Sequence, residues 1–241
     1  TGYFATLGSD TPPLAYDDIE LCDMIMHFGH NARESHPIIF WRAADYKKKS
    51  DIPTVVVDPR RTGTQMGYED VNPENSVHVP ILNGDISFLN SIAHVLLKDH
   101  PDVIDWDFLK EYVNGWEAYT EGVLNDYSPE QVQDRMGGPN HDVSPDVIRR
   151  VASLFADATR KRLARSKGKQ SSSGPGAEGG YGGVIIMWGI GYNQHIHGQH
   201  NVISIINLLT LTGNLAKPGC GPFSMTGQPN AMGERFTGGL T

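Results

Sequence analysis

Short apolar runs alternate with longer amphipathic ones along this chain. The runs Met24–Phe28, Thr54–Val57, 77–81 and Val184–Trp188 are brief and rich in Val and Ile, as expected of strands covered on both faces of a parallel sheet. Between them the apolar period lengthens. The segment 37–50 places Ile38, Ile39, Trp41 and Ala44 on one predicted helical face and ends in lysines that suit the helix dipole. A second helix should start with Asp85 or Ser87 as its N-cap and bury Phe88, Leu89, Ile92, Val95 and Leu96. Residues 101–160 read as mainly helical, with Ser144-Pro145-Asp146 opening the last helix. A further helix over 201–212 stops at Gly213-Asn214.

The predicted class is α/β: a Rossmann-like parallel sheet built from βαβ units, the first over 24–58, where the crossover should be right-handed. Two stretches lack periodicity. Residues 161–183 run from basic to Gly/Ser-rich and are expected to form a mobile loop. Residues 215–241 are punctuated by Gly and Pro, and residues 1–17 read as a connecting segment. The expected division is a dinucleotide-binding domain over 1–162, a flexible insertion over 163–183, and part of a second α/β cofactor-binding domain over 184–241.

Charge and composition narrow the partners. The 241 residues carry a net charge of -8, which argues against nonspecific nucleic-acid binding. No stretch approaches the ~20 apolar residues of a membrane span. The two cysteines, Cys22 and Cys220, have no C-x-x-C spacing and suggest neither a disulfide framework nor a zinc site. Cys22 is expected to be a core residue of an apolar strand, and Cys220 a free thiol.

Candidate chemistry gathers at the carboxyl ends of the predicted strands, where open α/β sheets bind ligands. After 184–188 comes a turn of glycines and carboxamides, 189–194, followed by His195, His197 and His200. After 54–57 comes Asp58-Pro59-Arg60-Arg61-Thr62, with both signs of charge where a ribose or phosphate would be held. After the third strand comes Asn83-Gly84-Asp85. A nicotinamide dehydrogenase is disfavoured because "FGHNARESH" has one glycine where G-x-G-x-x-G is needed. A non-catalytic zinc or copper module on the H-x-H-x-x-H spacing stays open at this point.

The segments "YDDIE", "FGHNARESHPI", "VVVDPRRT", "NGD", "MWGIGYNQH", "LLTLTGNLAKPG" and "PFSMTGQPNAMGER" occur in this order. Together they resemble the molybdenum bis-molybdopterin guanine dinucleotide oxidoreductases, in particular the periplasmic and assimilatory nitrate reductases. The "TGQPNAMG" form is closer to these than to the formate dehydrogenases. The resemblance covers nearly the whole chain apart from 163–183.

It implies an internal segment of a longer, four-domain subunit. Phe28 to Ser35 would line one guanine dinucleotide, with Gly29 in the turn and Asn31, Glu34 and Ser35 as polar neighbours. Asp58, Pro59, Arg60 and Thr62, with Asn83, Gly84 and Asp85, would hold the guanosine end. Ile190 and Gln194 would lie near the pterin and metal, and Gln228 in a loop over the active site. Gln194, His197 and Gln228 are therefore the catalytic candidates, with no metal ligand in this chain: the cysteine ligand to molybdenum and those of a [4Fe-4S] cluster are implied N-terminal to residue 1.

The implied activity is reduction of nitrate to nitrite by oxygen-atom transfer. Electrons would come from ferredoxin, flavodoxin, an NADH-linked reductase or a cytochrome, with a cytoplasmic assimilatory setting and a periplasmic alternative. Relatives are expected to carry arginine where this chain has His197. Arginine is always charged and histidine only in acid, so another oxyanion, or formate, is the alternative substrate within the superfamily.

Overall fold

The computed structural model describes residues 2–136, 143–166, 182–215, 217–228 and 231–237. In chain order these form α1 (Gly2–Leu7), a 3-10 turn (Tyr16–Leu21), β1 (Met24–Phe28), α2 (Ala32–Ser35), α3 (Pro37–Ser50), β2 (Thr54–Val57), α4 (Gly63–Val71), β3 (Ser76–Val79) and α5 (Asp85–Asp99). There follow α6 (Trp106–Tyr112), α7 (Trp116–Asp126), α8 (Pro129–Val132), α9 (Pro145–Ser166), β4 (Val184–Trp188), α10 (Ile190–Asn193), α11 (Gly198–Leu211), β5 (Gly221–Ser224) and α12 (Ala231–Phe236).

The strands make one sheet in the order β3-β2-β1-β4-β5, and every pairing is parallel. The expected parallel-sheet α/β class is therefore observed. Residues on both sides of 163–183 contribute to this sheet: β4 pairs with β1 along its whole length.

Because side chains alternate across a strand, the sheet feeds two cores. Met24, Met26, Phe28, Val55, Val57, Ile186 and Trp188 join Phe88, Ile92, Phe155 and Leu209 on one face, under α5, α9 and α11. Ile25, Val56, Ile185, Met187 and Phe223 join Phe40, Ala43, Ala44 and Tyr68 on the other, under α3 and α4. Helices on both faces leave the strand ends as the open edges.

Several local expectations are corrected. Ile38 and Trp41 are 79% and 52% exposed, and α3 instead buries Phe40, Ala43, Ala44 and Lys47. Lys47 tolerates burial because Nζ donates to Ile52 O (2.9 Å), Asn75 O (3.3 Å) and Asn75 Oδ1.

The N-cap of α5 is Gly84, with neither Asp85 nor Ser87 capping it through a side chain. Cys22 is a core residue as expected, but follows the 3-10 turn just before β1. The basic residues 161–166 continue α9, and Arg162 is buried with Nη2 donating to Thr212 O at 2.8 Å; residues 167–181 of the expected loop lie outside the described residues. Residues 2–7 are helical, with Tyr3 in the core. The unpatterned tail supplies β5, an edge strand whose Pro222 is tolerated there.

Candidate functional site

All five parallel strands end at one edge, so the loops after them converge there. The strand order reverses between β1 and β4, the switch point where such sheets open a ligand crevice. Two turns meet at that point. Gly29 follows β1 with φ +50°, and a Cβ there would lie 2.4 Å from Gly191 C. Gly191 N in turn donates to Gly29 O at 3.2 Å. Backbone packs on backbone, and only glycine fits at either position.

From β1 the chain enters the "HNARES" turn. Asn31 Oδ1 accepts from Thr64 N (3.3 Å) and Thr64 Oγ1 (3.1 Å), which ties this turn to the start of α4 and leaves the Asn31 amide nitrogen without a partner among the described residues. Glu34 is exposed, its Oε1 3.3 Å from where a Cβ on Gly63 would stand. Ser35 is turned back on its own loop, Oγ donating to Asn31 O at 2.9 Å.

After β2, Asp58 is buried and Oδ1 accepts the Arg60 amide at 2.9 Å. This shapes the Asp58-Pro59-Arg60 turn and leaves the Arg60 side chain 79% exposed. Thr62 is the N-cap residue of α4, but its side chain makes no cap bond. Among the described residues its buried Oγ1 has no partner, and neither does Gln65 Oε1 in the first turn of α4. Buried polar atoms are normally satisfied; at this helix N-terminus the Thr62 hydroxyl could donate to an anion, while Gln65 Oε1 could only accept from a ligand donor.

The Asn83-Gly84-Asp85 turn meets the β4 side in an open cleft of about 450 Å3, lined also by His195, Ile196, His197 and Asn201. Gly84 adopts φ +88°, and a Cβ there would lie 2.5 Å from Arg135 O. Burial raises the Asp85 carboxyl to about 6, with His195 nearby opposing the shift.

The 189–194 turn is anchored from beneath. Tyr192 is buried, its hydroxyl donating to Asn201 O at 2.5 Å while Asn201 Nδ2 donates to Tyr192 O at 2.8 Å. Held this way, Ile190, Gln194 and His197 face outward. Gln228, beyond β5, is also exposed, and neither glutamine side chain has a hydrogen-bond partner among the described residues.

The His195, His197 and His200 module does not assemble: no group of three or more potential ligands that could hold a metal occurs among the described residues. His195 Nε2 is instead held by Gly191 O at 2.8 Å. Sequence reasoning missed two parts of this edge, namely Ser224, whose buried Oγ is unpartnered among the described residues, and a run of rings that includes buried His27. The signal for the second was available: histidine is the one polar residue in the fully buried strand "MIMHF".

The sequence profile of the molybdopterin oxidoreductase family matches residues 6–239. The chain belongs to that family. Nitrate reductases from Synechocystis sp., Symbiobacterium thermophilum and Klebsiella oxytoca are 33%, 32% and 31% identical to it over its whole length. The chain spans only 29%, 28% and 23% of these relatives. Among solved structures, acetylene hydratase from Pelobacter acetylenicus superposes on 85% of the chain and 25% of that protein, with a TM-score of 0.60 at 15% identity, a likeness of fold. No helix of the described residues is long and apolar enough to cross a membrane.

Membership implies a molybdopterin-type cofactor, and the residues fit one. The orphaned Thr62 Oγ1 and Gln65 Oε1, the unpartnered Asn31 amide and the side-chain-free approach at Gly29 and Gly191 suit a phosphate-linked polar ligand.

Proposed function

We propose that this chain is part of a nitrate reductase and holds much of a molybdenum bis-molybdopterin guanine dinucleotide against its sheet edge. The observation that carries the reading is the alignment with three nitrate reductases over the full chain. The bound cofactor would supply the redox centre that takes an oxygen atom from nitrate, so that nitrate, two electrons and two protons give nitrite and water.

The chain's own residues do the rest. The Asn31 amide, Arg60 and Thr62 would bind phosphate oxygens. Asp58 orders the loop that carries Arg60. Phe28, Gly29, Glu34 and Ser35 form one wall of the dinucleotide groove, and Pro59, Asn83, Gly84 and Asp85 enclose its guanosine end. Ile190 and Gln194 lie against the pterin, and His197 and Gln228 flank the path of the incoming anion.

His197 supports a second reading, reduction of another oxyanion or oxidation of formate, because it shares its cleft with the Asp85 carboxyl and lacks the permanent charge of arginine. Electrons would arrive through a [4Fe-4S] cluster elsewhere in the protein, from ferredoxin, flavodoxin, an NADH-linked reductase or a cytochrome. The assimilatory reading places the enzyme in the cytoplasm, with the periplasm as the alternative.

The test is anaerobic purification of the longest natural chain, with molybdenum and guanine nucleotide counted per polypeptide and nitrite production followed from a reduced dye. Cofactor with nitrite formation supports the reading. Cofactor without nitrite formation transfers it to the other substrates, and the absence of both overturns it.

A further inference from the structure

A run of buried rings crosses the second core and ends on the loop that carries Gln228. Tyr68 Oη lies 2.9 Å from His27 Nε2, His27 Nδ1 lies 3.1 Å from His30 Nδ1, and His30 Nε2 lies 3.1 Å from His36 Nδ1. His36 Nε2 then donates to Thr226 O at 3.3 Å, two residues before Gln228. Tyr68, His27 and His30 are 0%, 1% and 3% exposed, so the run has a closed inner end and does not connect two bodies of solvent.

We infer that His36 is a positioning residue for the 225–228 loop, its ring held by the Tyr68–His27–His30 chain so that Nε2–H fixes the Thr226 carbonyl. The inference rests on the reading that Gln228 lies over the active site.

Hydrogen-bond chemistry constrains the chain closely. A carbonyl oxygen only accepts, so His36 must carry its proton on Nε2. Across the Nδ1–Nδ1 contact one ring donates and the other accepts. Burial keeps both rings uncharged, lowering His27 to about 3 and His30 well below its usual value. His27 and His30 therefore hold opposite tautomers.

The inner bonds can run in two directions, and only the first also gives the buried Tyr68 hydroxyl proton an acceptor among the described residues. With His36 neutral, every donor points toward Thr226. With His36 also protonated on Nδ1, the inner bonds reverse, and Ser35 Oγ, 2.9 Å from that nitrogen, can accept as well. The Nε2–H to Thr226 bond is the same in both. Two other hydrogen bonds reach the loop, Met225 N donating to Trp188 O at 2.9 Å and Ala231 N to Gln228 O at 3.4 Å, and among the described residues the Gln228 side chain has no partner.

The test is made on the full chain without substrate or metal, so its result is independent of whether nitrate is reduced. Nitrogen-15 NMR of histidine-labelled protein should find His36 with Nε2–H, and His27 and His30 in opposite tautomers. Like tautomers in His27 and His30, or His36 protonated on Nδ1 alone, would overturn the chain. In hydrogen exchange, His36→Leu should speed exchange across 225–228 by about fivefold, the worth of one lost hydrogen bond of about 1 kcal/mol. His36→Gln, which can place an N–H near the same point, should restore slow exchange. If leucine protects the loop as well as histidine while glutamine does not, the ring merely fills space and the inference fails. Thermal melts of each variant separate loop release from global unfolding.

Discussion

Gly29 and Gly191 touch backbone to backbone between the ends of the parallel strands β1 and β4, where the strand order of the sheet reverses. A Cβ on Gly29 would stand 2.4 Å from Gly191 C, and one on Gly191 would stand 2.8 Å from Gly29 O. The crevice of the candidate site therefore depends on two absent side chains.

Substitution here should tell the two positions apart. Gly29→Ala suffers the clash and a left-handed backbone at φ +50°, whereas Gly191→Ala meets the clash alone. We expect a loss of about 3 kcal/mol for the first and about 2 kcal/mol for the second, from overpacking with and without backbone strain. Denaturant midpoints at unchanged slope measure both, and equal losses would mean that the backbone at Gly29 is unstrained.

Thr62 offers the opposite kind of test. Its buried hydroxyl has no partner among the described residues, a state that costs about 1–3 kcal/mol in the absence of a ligand. Thr62→Val keeps the shape and removes the orphan, so the cofactor-free chain should become more stable by about 1 kcal/mol. The same change should lower guanine nucleotide retained per polypeptide in the cofactor-loaded protein. A destabilised, fully loaded variant would assign the hydroxyl a purely structural part.

How far the sequence foretold this site follows from where ordinary patterning holds. The bounds of β1, β2 and β4 were legible because strands buried on both faces are continuous apolar runs, and the loops after them were then located by topology alone. β5 was hidden because "GPFS" contains the two residues least typical of strands, and Pro222 is acceptable only at the edge position it occupies.

The phase of α3 was misread for a related reason. Its buried stripe of Phe40, Ala43, Ala44 and Lys47 has regular helical spacing, but a lysine masks it and apolar Ile38 and Trp41 imitate another. The oxygens that neutralise the cost of burying Lys47 belong to Ile52 and Asn75, which no local pattern reveals. Of the site residues, Asn31 and Asp58 proved to be loop-shaping acceptors as well as candidate contacts, a distinction that only geometry makes.

His27 makes the fold sensitive to acid. Its folded value is lowered to about 3 by burial, against an ordinary 6.5, so between these values the unfolded chain binds a proton that the folded chain refuses. Stability must fall as pH drops from 6.5 toward 3, by an amount on the order of 4 kcal/mol from this ring alone. His27→Gln cannot titrate, and its unfolding free energy should be flatter than wild type across that window. Parallel profiles for the two proteins would show that His27 charges in the folded state.

Asp85 works in the other direction, over an overlapping range. Burial raises its folded value from 3.8 to about 6, so between pH 4 and 6 the folded chain binds the extra proton. Its contribution is fully present below 3.8 and is lost as pH rises through 6. Relative to Asp85→Asn, wild-type stability should therefore decline from pH 4 to 6 and level off above. The carboxyl sits with His195, His197 and Asn201 around the same cleft, so a polar ligand that donates a hydrogen bond to it would favour the charged form and pull its value down. Carbon-13 NMR of the labelled carboxyl, recorded with and without guanosine monophosphate, reads the titration directly. A midpoint near 6 that falls on adding nucleotide places the guanosine end here, while a midpoint near 4 in the free chain would show that water reaches the carboxyl and that the cleft is open to its base.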